Sequence, residues 1–589
     1  MKGIVAALVA LVGWSSYAAF EADIAAFREA RFGMFIHWGL YAQLGGRWKG
    51  EKMDYIGEWI QSRYQISNAE YGLLAKEFNP TKFDADEWAR QAKDAGMEYV
   101  IFTTKHHEGF SMYATRESDY NIVDATPFKR DVFGELAAAC RRNGLKVGIY
   151  YSQALDWHEF DAADPTGIEN GRRTSHANHG MDWGNTWDFS DPTKKEFGRY
   201  LEAKVYPQLK ELLTNYGDIF VIWFDCPMCM TREQVAELKR YVQSFQPHVL
   251  VNSRIGFDLG DFGSLGDNQM LAGASDFPLE SPITLNDTWG FKFDDHNWKS
   301  ADAVAQALMQ DISCNANLLL NVGPRPDGRF PDASSDILSD LAAWRKQTGV
   351  VIRGAGKSPF PQAMPWGCCT TAGADVLQLV VRSDWTDDLR VAGIRNRVRR
   401  CSLPYEQTGD ILRVALPKTP TLMPRVIRVE TEGAADVDPR LMPQNGELLL
   451  LPTAGKVSGD KCRISDHGSF TDWHHSGDTI SWTACFPEPG TYEIAVRTET
   501  WWHGRAWAGD RKVEVSVGNQ QFKTELRKDR AVPSTVYERA DTVVGTVAIS
   551  ALGEYPISVE TVAAGPEAVY QDLTQVRIVG LNCKIGNKE

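Results

Sequence analysis

One carboxylate ends a segment whose composition demands burial. Ile219, Phe220, Val221, Ile222, Trp223 and Phe224 form an unbroken apolar run, and Asp225 closes it. A run of this kind, following a helical stretch and Gly217, fits an interior parallel strand covered on both faces. The acid then falls at the strand's C-terminal edge, where α/β barrels carry their chemistry. An Asp that merely caps the next loop would look the same in isolation, so repetition decides. Other apolar runs end on His37 and Trp38, on Lys105, His106, His107 and Glu108, on Tyr151, Asp156 and Trp157, and on Arg254. Carboxylates, neutral imidazoles, a guanidinium and aromatic faces converging on one rim suit a polyhydroxylated ring. Its hydroxyls need donors and acceptors, and its C–H faces need a flat apolar wall.

Metal chemistry is the competing use of three histidines. Adjacent His106 and His107 point opposite ways on a strand and no carboxylate-rich ligand set accompanies them, so neither a metal nor another cofactor is expected. Cys226 and Cys229 form a Cys-x-x-Cys directly after Asp225. A redox or zinc motif would call for a thioredoxin-like context or a second ligand pair, and the expectation is a local disulfide or two thiols.

The elements that must position these residues alternate. Asp84 and Glu87 start a helix whose face carries Trp88, Ala92 and Ala95, and Gly96 stops it before the apolar run from Tyr99 to Thr104. The pattern recurs with Asp131 to Arg142 before Lys146 to Tyr151, with Pro192 to Tyr216 before Ile219 to Phe224, with Arg232 to Phe245 before Val249 to Ser253, and with Ala301 to Ile312 before Asn317 to Val322. With Phe32 to Ile36 this makes six strands of an irregular (β/α)8-like barrel over residues 19–355, the sixth and seventh being poorly marked. Beyond Gly354 the runs become short, alternating and punctuated by turns, which predicts one β-sandwich over 356–452 and a second over 453–589. In the second, Trp473, Trp482, Trp501, Trp502 and Trp507 are either a carbohydrate-binding face or core.

A chain of 589 residues with 19 Trp can bury a catalytic core and attach further domains. A net charge of -14 leaves no basic footprint for nucleic acid. Lys2, the apolar run Ile4 to Val12 and the small residues Ser16 and Ala18 read as an export signal over 1–18, which predicts a periplasmic or secreted protein. That run is too short to span a bilayer, so no membrane span is expected. Ten cysteines permit disulfides, Cys462 with Cys485 for example, without requiring them.

A series of motifs then appears in a fixed order: RFGMFIHWGLYA (Arg31 to Ala42), GEWI (Gly57 to Ile60), YVIFTTKHHEGFSMY (Tyr99 to Tyr113), GIYYS (Gly148 to Ser152), WFD (Trp223 to Asp225), VNSR (Val251 to Arg254), ESPITLNDTWGF (Glu280 to Phe291) and NLLLNVGP (Asn317 to Pro324). Together they span the expected barrel, and in this order they resemble the α-L-fucosidases of glycoside hydrolase family 29. The resemblance implies an exo-acting retaining hydrolase of fucosylated oligosaccharides or glycoprotein glycans, with Asp225 as nucleophile and Glu280 as general acid/base. It implies that His37, Glu58, Trp59, His106, His107, Tyr151, Trp223 and Arg254 hold the fucose. Two departures stand out: Cys226 where many relatives have Gly, and Leu279 where many have Trp. The chemistry of the residues agrees with a pair of carboxylates roughly 5 Å apart, one ionised and one protonated. Glu58 and Asp287 are substitutes for the acid/base, and Phe32, Trp223 or Phe291 would face the 6-methyl group. A fucose-binding lectin without turnover, or a barrel hydrolase acting on another sugar, are the alternative functions.

Overall fold

The computed structural model describes residues 20–162, 168–169, 172–173, 184–191, 194–227, 229–271, 273–465, 468–500, 506–532 and 538–581. The export signal expected over 1–18 and the residues Trp501 and Trp502 lie outside the described residues. Backbone contacts divide the chain into two compact units. The first comprises Met1–Asp267, Phe277–Val304 and Asn317–Gly354; the second comprises Asn268–Asp276, Ala305–Ala316 and everything from Ala355 onward.

The first unit is a parallel barrel. Its strands are β1 (Phe32–Ile36), β2 (Tyr99–Lys105), β3 (Lys146–Ser152), β4 (Val221–Asp225), β5 (Leu250–Val251), β6 (Gly263–Ser264), β7 (Leu279–Thr284) and β8 (Ala316–Val322). They are hydrogen-bonded in the order β6-β7-β8-β1-β2-β3-β4-β5. A parallel bridge from Asn252 to Phe262 links the two ends of that order and closes the ring. Helices α1 (Ala85–Ala95), α2 (Val132–Arg142), α3 (Tyr206–Asn215), α4 (Arg232–Phe245), α5 (Ala301–Ser313) and α6 (Asp332–Thr348) are the long ones of this region. Local chemistry sets their ends. The Asp84 side chain accepts from the Glu87 N–H and Asp131 from Gly134, and Thr231 and Gln234 form a reciprocal capping box. Gly96 ends α1 at φ 99°, a left-handed conformation that costs a glycine nothing.

Three features depart from the sequence pattern. The helix expected over Pro192 to Tyr216 begins at Phe197 and passes through a π-helical turn at Leu201–Val205 before α3. The fifth strand, expected over Val249 to Ser253, has only two residues, because the chain turns into a 3-10 segment at Ser253–Ile255. Among the described residues, no long helix separates β5 from β6 or β6 from β7.

The barrel interior is filled by Phe35, Tyr99, Ile101, Tyr150, Val221, Trp223, Leu250 and Leu319, all buried. Gly33 matters here. A Cβ on it would meet the Tyr99 ring at 2.4 Å, so only glycine at this position of β1 lets Tyr99 occupy the interior.

In the second unit, two antiparallel sheets of four and three strands enclose Trp366, Leu377, Val391, Leu412 and Val429. Sheets of seven and five strands enclose Trp473, Trp482, Ile494, Val515 and Ile578. These are the β-sandwiches of the sequence pattern. Glu447–Leu450 pairs with Gln571–Gly580, so the later sheet takes a strand from before Pro452. Trp473 and Trp482 are core residues, and Trp507 packs against the same core. All nine described cysteines are thiols, Cys462 and Cys485 among them. No helix of the described residues is long and apolar enough to cross a membrane.

Candidate active site

Strand alternation sorts the rim residues into two groups. Successive side chains face opposite sides, so every second residue enters the barrel and its neighbours enter the layer outside. Trp38 faces outward, its indole among Phe78, Phe83 and Trp88. Lys105 is buried outside as well, donating to Asp156 Oδ2 at 3.3 Å and to the Tyr200 hydroxyl at 3.0 Å. Lys204, delivered by the π-helical turn, reaches the same Asp156 oxygen at 2.9 Å. The two ammonium groups hold Asp156 well below the usual carboxylate range despite its burial. These residues brace the wall.

Tyr151 belongs to that outer group, which corrects the sequence reading. Its hydroxyl donates to Gln208 Oε1 at 2.8 Å, and its ring carries the Lys105 ammonium. Tyr150 faces inward in its place, donating to Asp225 Oδ2 at 3.0 Å.

Asp225 lies at the end of β4 with 14% of its side chain exposed. Its amide donates to Gln153 Oε1 at 2.8 Å, and its Oδ1 accepts from Arg254 Nη1 at 3.2 Å. Burial pushes the Asp225 carboxyl above its ordinary range, Arg254 pulls it back, and Asp267 pushes it up again. Asp267 is the residue that the sequence reading missed. It follows the two-residue β6, is 45% exposed, and accepts from the other terminal nitrogen of Arg254, Nη2, at 2.5 Å. One guanidinium therefore holds two carboxylates, and the same group lies over the Trp223 ring at 4.7 Å.

Beneath them is a layer of rings. Tyr150 stacks on His106 at 5.2 Å and on Trp223 at 5.8 Å. His37 sits 5.5 Å from Tyr150 and 5.2 Å from Trp289, and Trp59 abuts His107 at 5.0 Å. Asn321 fixes the His37 tautomer: its amide nitrogen donates to the Trp289 carbonyl at 2.8 Å, so its Oδ1 accepts from His37 Nδ1 at 2.7 Å. His37 Nε2 is then an acceptor, and burial keeps the ring neutral by pushing its pKa down to about 3. Glu58, in the 3-10 turn Gly57–Trp59, accepts from the Gly290 N–H at 2.8 Å. The rim thus brings together Asp225, Arg254, His37, His106, His107, Glu58 and Trp59.

Glu280 is not among them. It is fully buried, its Oε1 accepting from the Tyr99 hydroxyl at 2.6 Å and its Oε2 from the Trp223 indole at 2.9 Å. Asp225 lies two residues beyond Trp223 on the same face, roughly 6–7 Å further along the strand. Glu280 is therefore a layer below the rim, under Trp223. Phe32 is also displaced, because it opens β1 at the end opposite His37.

Four buried acids make stability depend on pH, three in the barrel and Asp572 in the second unit, which burial also pushes up to about 7. Burial pushes Glu58 and Glu280 up to about 7 and Glu108 up to about 8. The folded chain holds these protons where the unfolded chain has shed them, so this stabilisation is full below about pH 4.5 and is lost as pH rises through 7 to 8. The buried histidines act with the opposite sign and only below about pH 6.5, where the unfolded chain binds protons that the folded chain refuses. The thermal midpoint is expected to fall between about pH 6.5 and 8.5, and the fall to be shallower in Glu280→Gln. A calorimetric pH series checks both; a flat series for the parent protein would remove the linkage.

Among the described residues one cluster has metal-ligand spacing: ligand atoms of His107, Asp225 and Cys226 lie within 4.8 Å of one another.

Comparison with known proteins bears on this geometry. The family model described as Alpha-L-fucosidase matches residues 12–350. The tissue alpha-L-fucosidase of Mus musculus is 28% identical over 447 residues, covering 72% of this chain and 87% of that protein. The crystal structure of an alpha-L-fucosidase from Vibrio sp. strain EJY3 superposes with a TM-score of 0.81 at 27% identity, over 95% of this chain and 98% of that one. The alpha-L-fucosidase AlfC from Lactobacillus casei, in complex with α-L-fucose product, is 43% identical with a TM-score of 0.52, over 56% of this chain and 99% of that one.

Proposed function

Because the chain belongs to the α-L-fucosidase family of glycoside hydrolases, we propose that it removes terminal α-L-fucose from fucosylated glycans by double displacement, with Asp225 as nucleophile and Asp267 as general acid/base. The observation that carries the assignment is the shared guanidinium: Arg254 binds Asp225 through Nη1 and Asp267 through Nη2 at the C-terminal rim of the barrel. Two carboxylates so linked suit the roughly 5 Å separation that a retaining glycosidase needs.

In the first step the Asp225 carboxylate attacks C1 while the Asp267 carboxyl gives its proton to the departing oxygen. The ester formed on Asp225 is then cleaved by water, whose proton returns to Asp267, and two inversions give net retention. Arg254 and the Tyr150 hydroxyl hold the Asp225 oxygens in place for attack. His37, His106, His107, Glu58 and Trp59 line the same rim and offer hydroxyl partners. The neutral His37 Nε2 accepts, and the protonated Glu58 donates near neutral pH. Glu280 acts as a positioning residue that fixes the Trp223 indole beneath the sugar. The apolar run near Lys2 supports export of the enzyme, and N-terminal sequencing of the mature protein, starting near Ala19, checks that part.

Hydrolysis of a matched pair of aryl glycosides tests the reading. Steady release of L-fucose, first formed as the α-anomer by NMR, with no release from the D-galactoside, is expected. A first-formed β-anomer would overturn the retaining mechanism. Tight binding of L-fucose without turnover would favour a lectin.

A further inference from the structure

Cys226 takes no part in the mechanism above, yet its thiol is aimed at the site. Its backbone is left-handed, with φ 54°, a conformation strained for an L-residue and one that glycine adopts freely. An extended residue after Asp225 would point away from it. The turn instead brings Cys226 Sγ to 3.8 Å from His107 Nε2, which lies 3.8 Å from Asp225 Oδ2.

His107 is arranged as a ligand rather than a donor at that nitrogen. The Ser152 hydroxyl gives its hydrogen to the Leu155 carbonyl at 2.8 Å, so the Ser152 oxygen accepts from His107 Nδ1 at 2.7 Å. The lone pair of the imidazole is thereby placed on Nε2, facing the sulfur and the carboxylate, as outer hydrogen bonds do for histidines that bind metals. Ligand atoms on a tetrahedral zinc, with bonds of about 2.0–2.3 Å, stand roughly 3.3–3.7 Å apart. Two of the three separations here are 3.8 Å and none exceeds 4.8 Å. A closure of at most about 1.5 Å completes the set.

We propose that Cys226, His107 and Asp225 form an inhibitory site for a thiophilic divalent cation such as Zn2+. Binding forms a metal–sulfur bond as the Cys226 thiol loses its proton to solvent; nothing is oxidised or reduced. Imidazole nitrogen and thiolate select zinc or cadmium, whereas Mg2+ and Ca2+ prefer all-oxygen sets that this site lacks. The metal takes Asp225 Oδ2, so it excludes attack on the sugar by occupying the nucleophile. That consequence rests on the proposed role of Asp225, while the binding itself does not.

Titration calorimetry of the full chain with Zn2+ is expected to give one metal per chain, and zinc is expected to inhibit aryl fucoside hydrolysis reversibly, with recovery on adding EDTA. Cys226→Gly relieves the backbone strain and so folds, and Cys226→Ser preserves shape without the soft donor. Both are expected to lose zinc affinity by at least the roughly 10–100-fold that losing a supporting group costs a metal site. Cys229→Ser should bind zinc like the parent. Unchanged affinity in Cys226→Gly, loss of affinity in Cys229→Ser, or equal binding of Mg2+ would overturn the site. One zinc bound through Cys226 in a protein that releases no fucose would sink the functional reading and leave the metal site standing.

Discussion

Asp225→Gly is expected to lower turnover by about 10^4-fold or more while the protein remains folded. The loss follows from the covalent step: without the carboxylate, no ester forms and the acetal must be broken by water alone. The fold survives because the Asp225 carboxylate lies at the rim above the packed interior, and Arg254 keeps its ion pair with Asp267. Removing the side chain also opens space beside C1 on the face that Asp225 occupied. Azide is small and anionic, so it is expected to enter that space beside Arg254 and restore part of the activity. A single displacement makes the product the inverted β-L-fucosyl azide, identifiable by NMR. Parent-level turnover in the variant would end the assignment of Asp225 as nucleophile.

Asp267→Ala is expected to separate substrates by their leaving groups. A fucoside of a sugar alcohol, which needs proton donation, should lose about 10^2–10^4-fold in kcat/KM, whereas an activated aryl fucoside should lose far less. With the aryl substrate the second step, now lacking a base, becomes slow. The covalent intermediate should accumulate, and kcat and KM should fall together. Azide again helps, but by attacking the fucosyl ester on Asp225, so the azide product retains the α-configuration. The opposite stereochemistry of the two rescues distinguishes the carboxylates without reference to rate. Glu280→Gln, which keeps the shape beside Trp223, is expected to show no dependence on the leaving group. If Glu280→Gln produced the leaving-group pattern and Asp267→Ala did not, the two roles would have to be exchanged.

Asp225, the proposed nucleophile, was legible in the chain and Asp267, the proposed acid/base, was not, for one physical reason. Asp225 ends a long apolar strand, and length is what makes a strand visible: the strands Tyr99–Lys105 and Ala316–Val322 announce themselves in the same way. Asp267 follows a strand of two residues, Gly263–Ser264, with no periodic helix on either side to frame it. Its flanking residues carry neither an apolar run nor a cap, so only the fold reveals that it reaches Arg254. The exchange of Tyr151 for Tyr150 has a different origin. A strand buried on both faces is apolar or aromatic at every position, so sequence alternation does not say which tyrosine points inward. The barrel, its helix starts and the two later sandwiches were readable because capping residues, glycine stops and changes of periodicity are local signals. Motif resemblance, in turn, selected Glu280 for its neighbours Trp289 and Gly290, whereas its hydrogen bonds tie it to Tyr99 and Trp223.

The two carboxylates proposed to react are mounted differently. Asp225 is anchored in the barrel wall, with its amide tied to Gln153 and its strand paired on both sides. Asp267 rides on the connection after one of the two shortest staves of the ring. On the proposed roles, exchange of the part of that connection beyond Asp267 would retune which aglycones depart without disturbing the machinery that recognises the departing monosaccharide. Linkage preference and monosaccharide preference would then be separately evolvable traits, and a graft between Asp267 and β7 that keeps Asp267 is where an engineer would begin to alter the former alone.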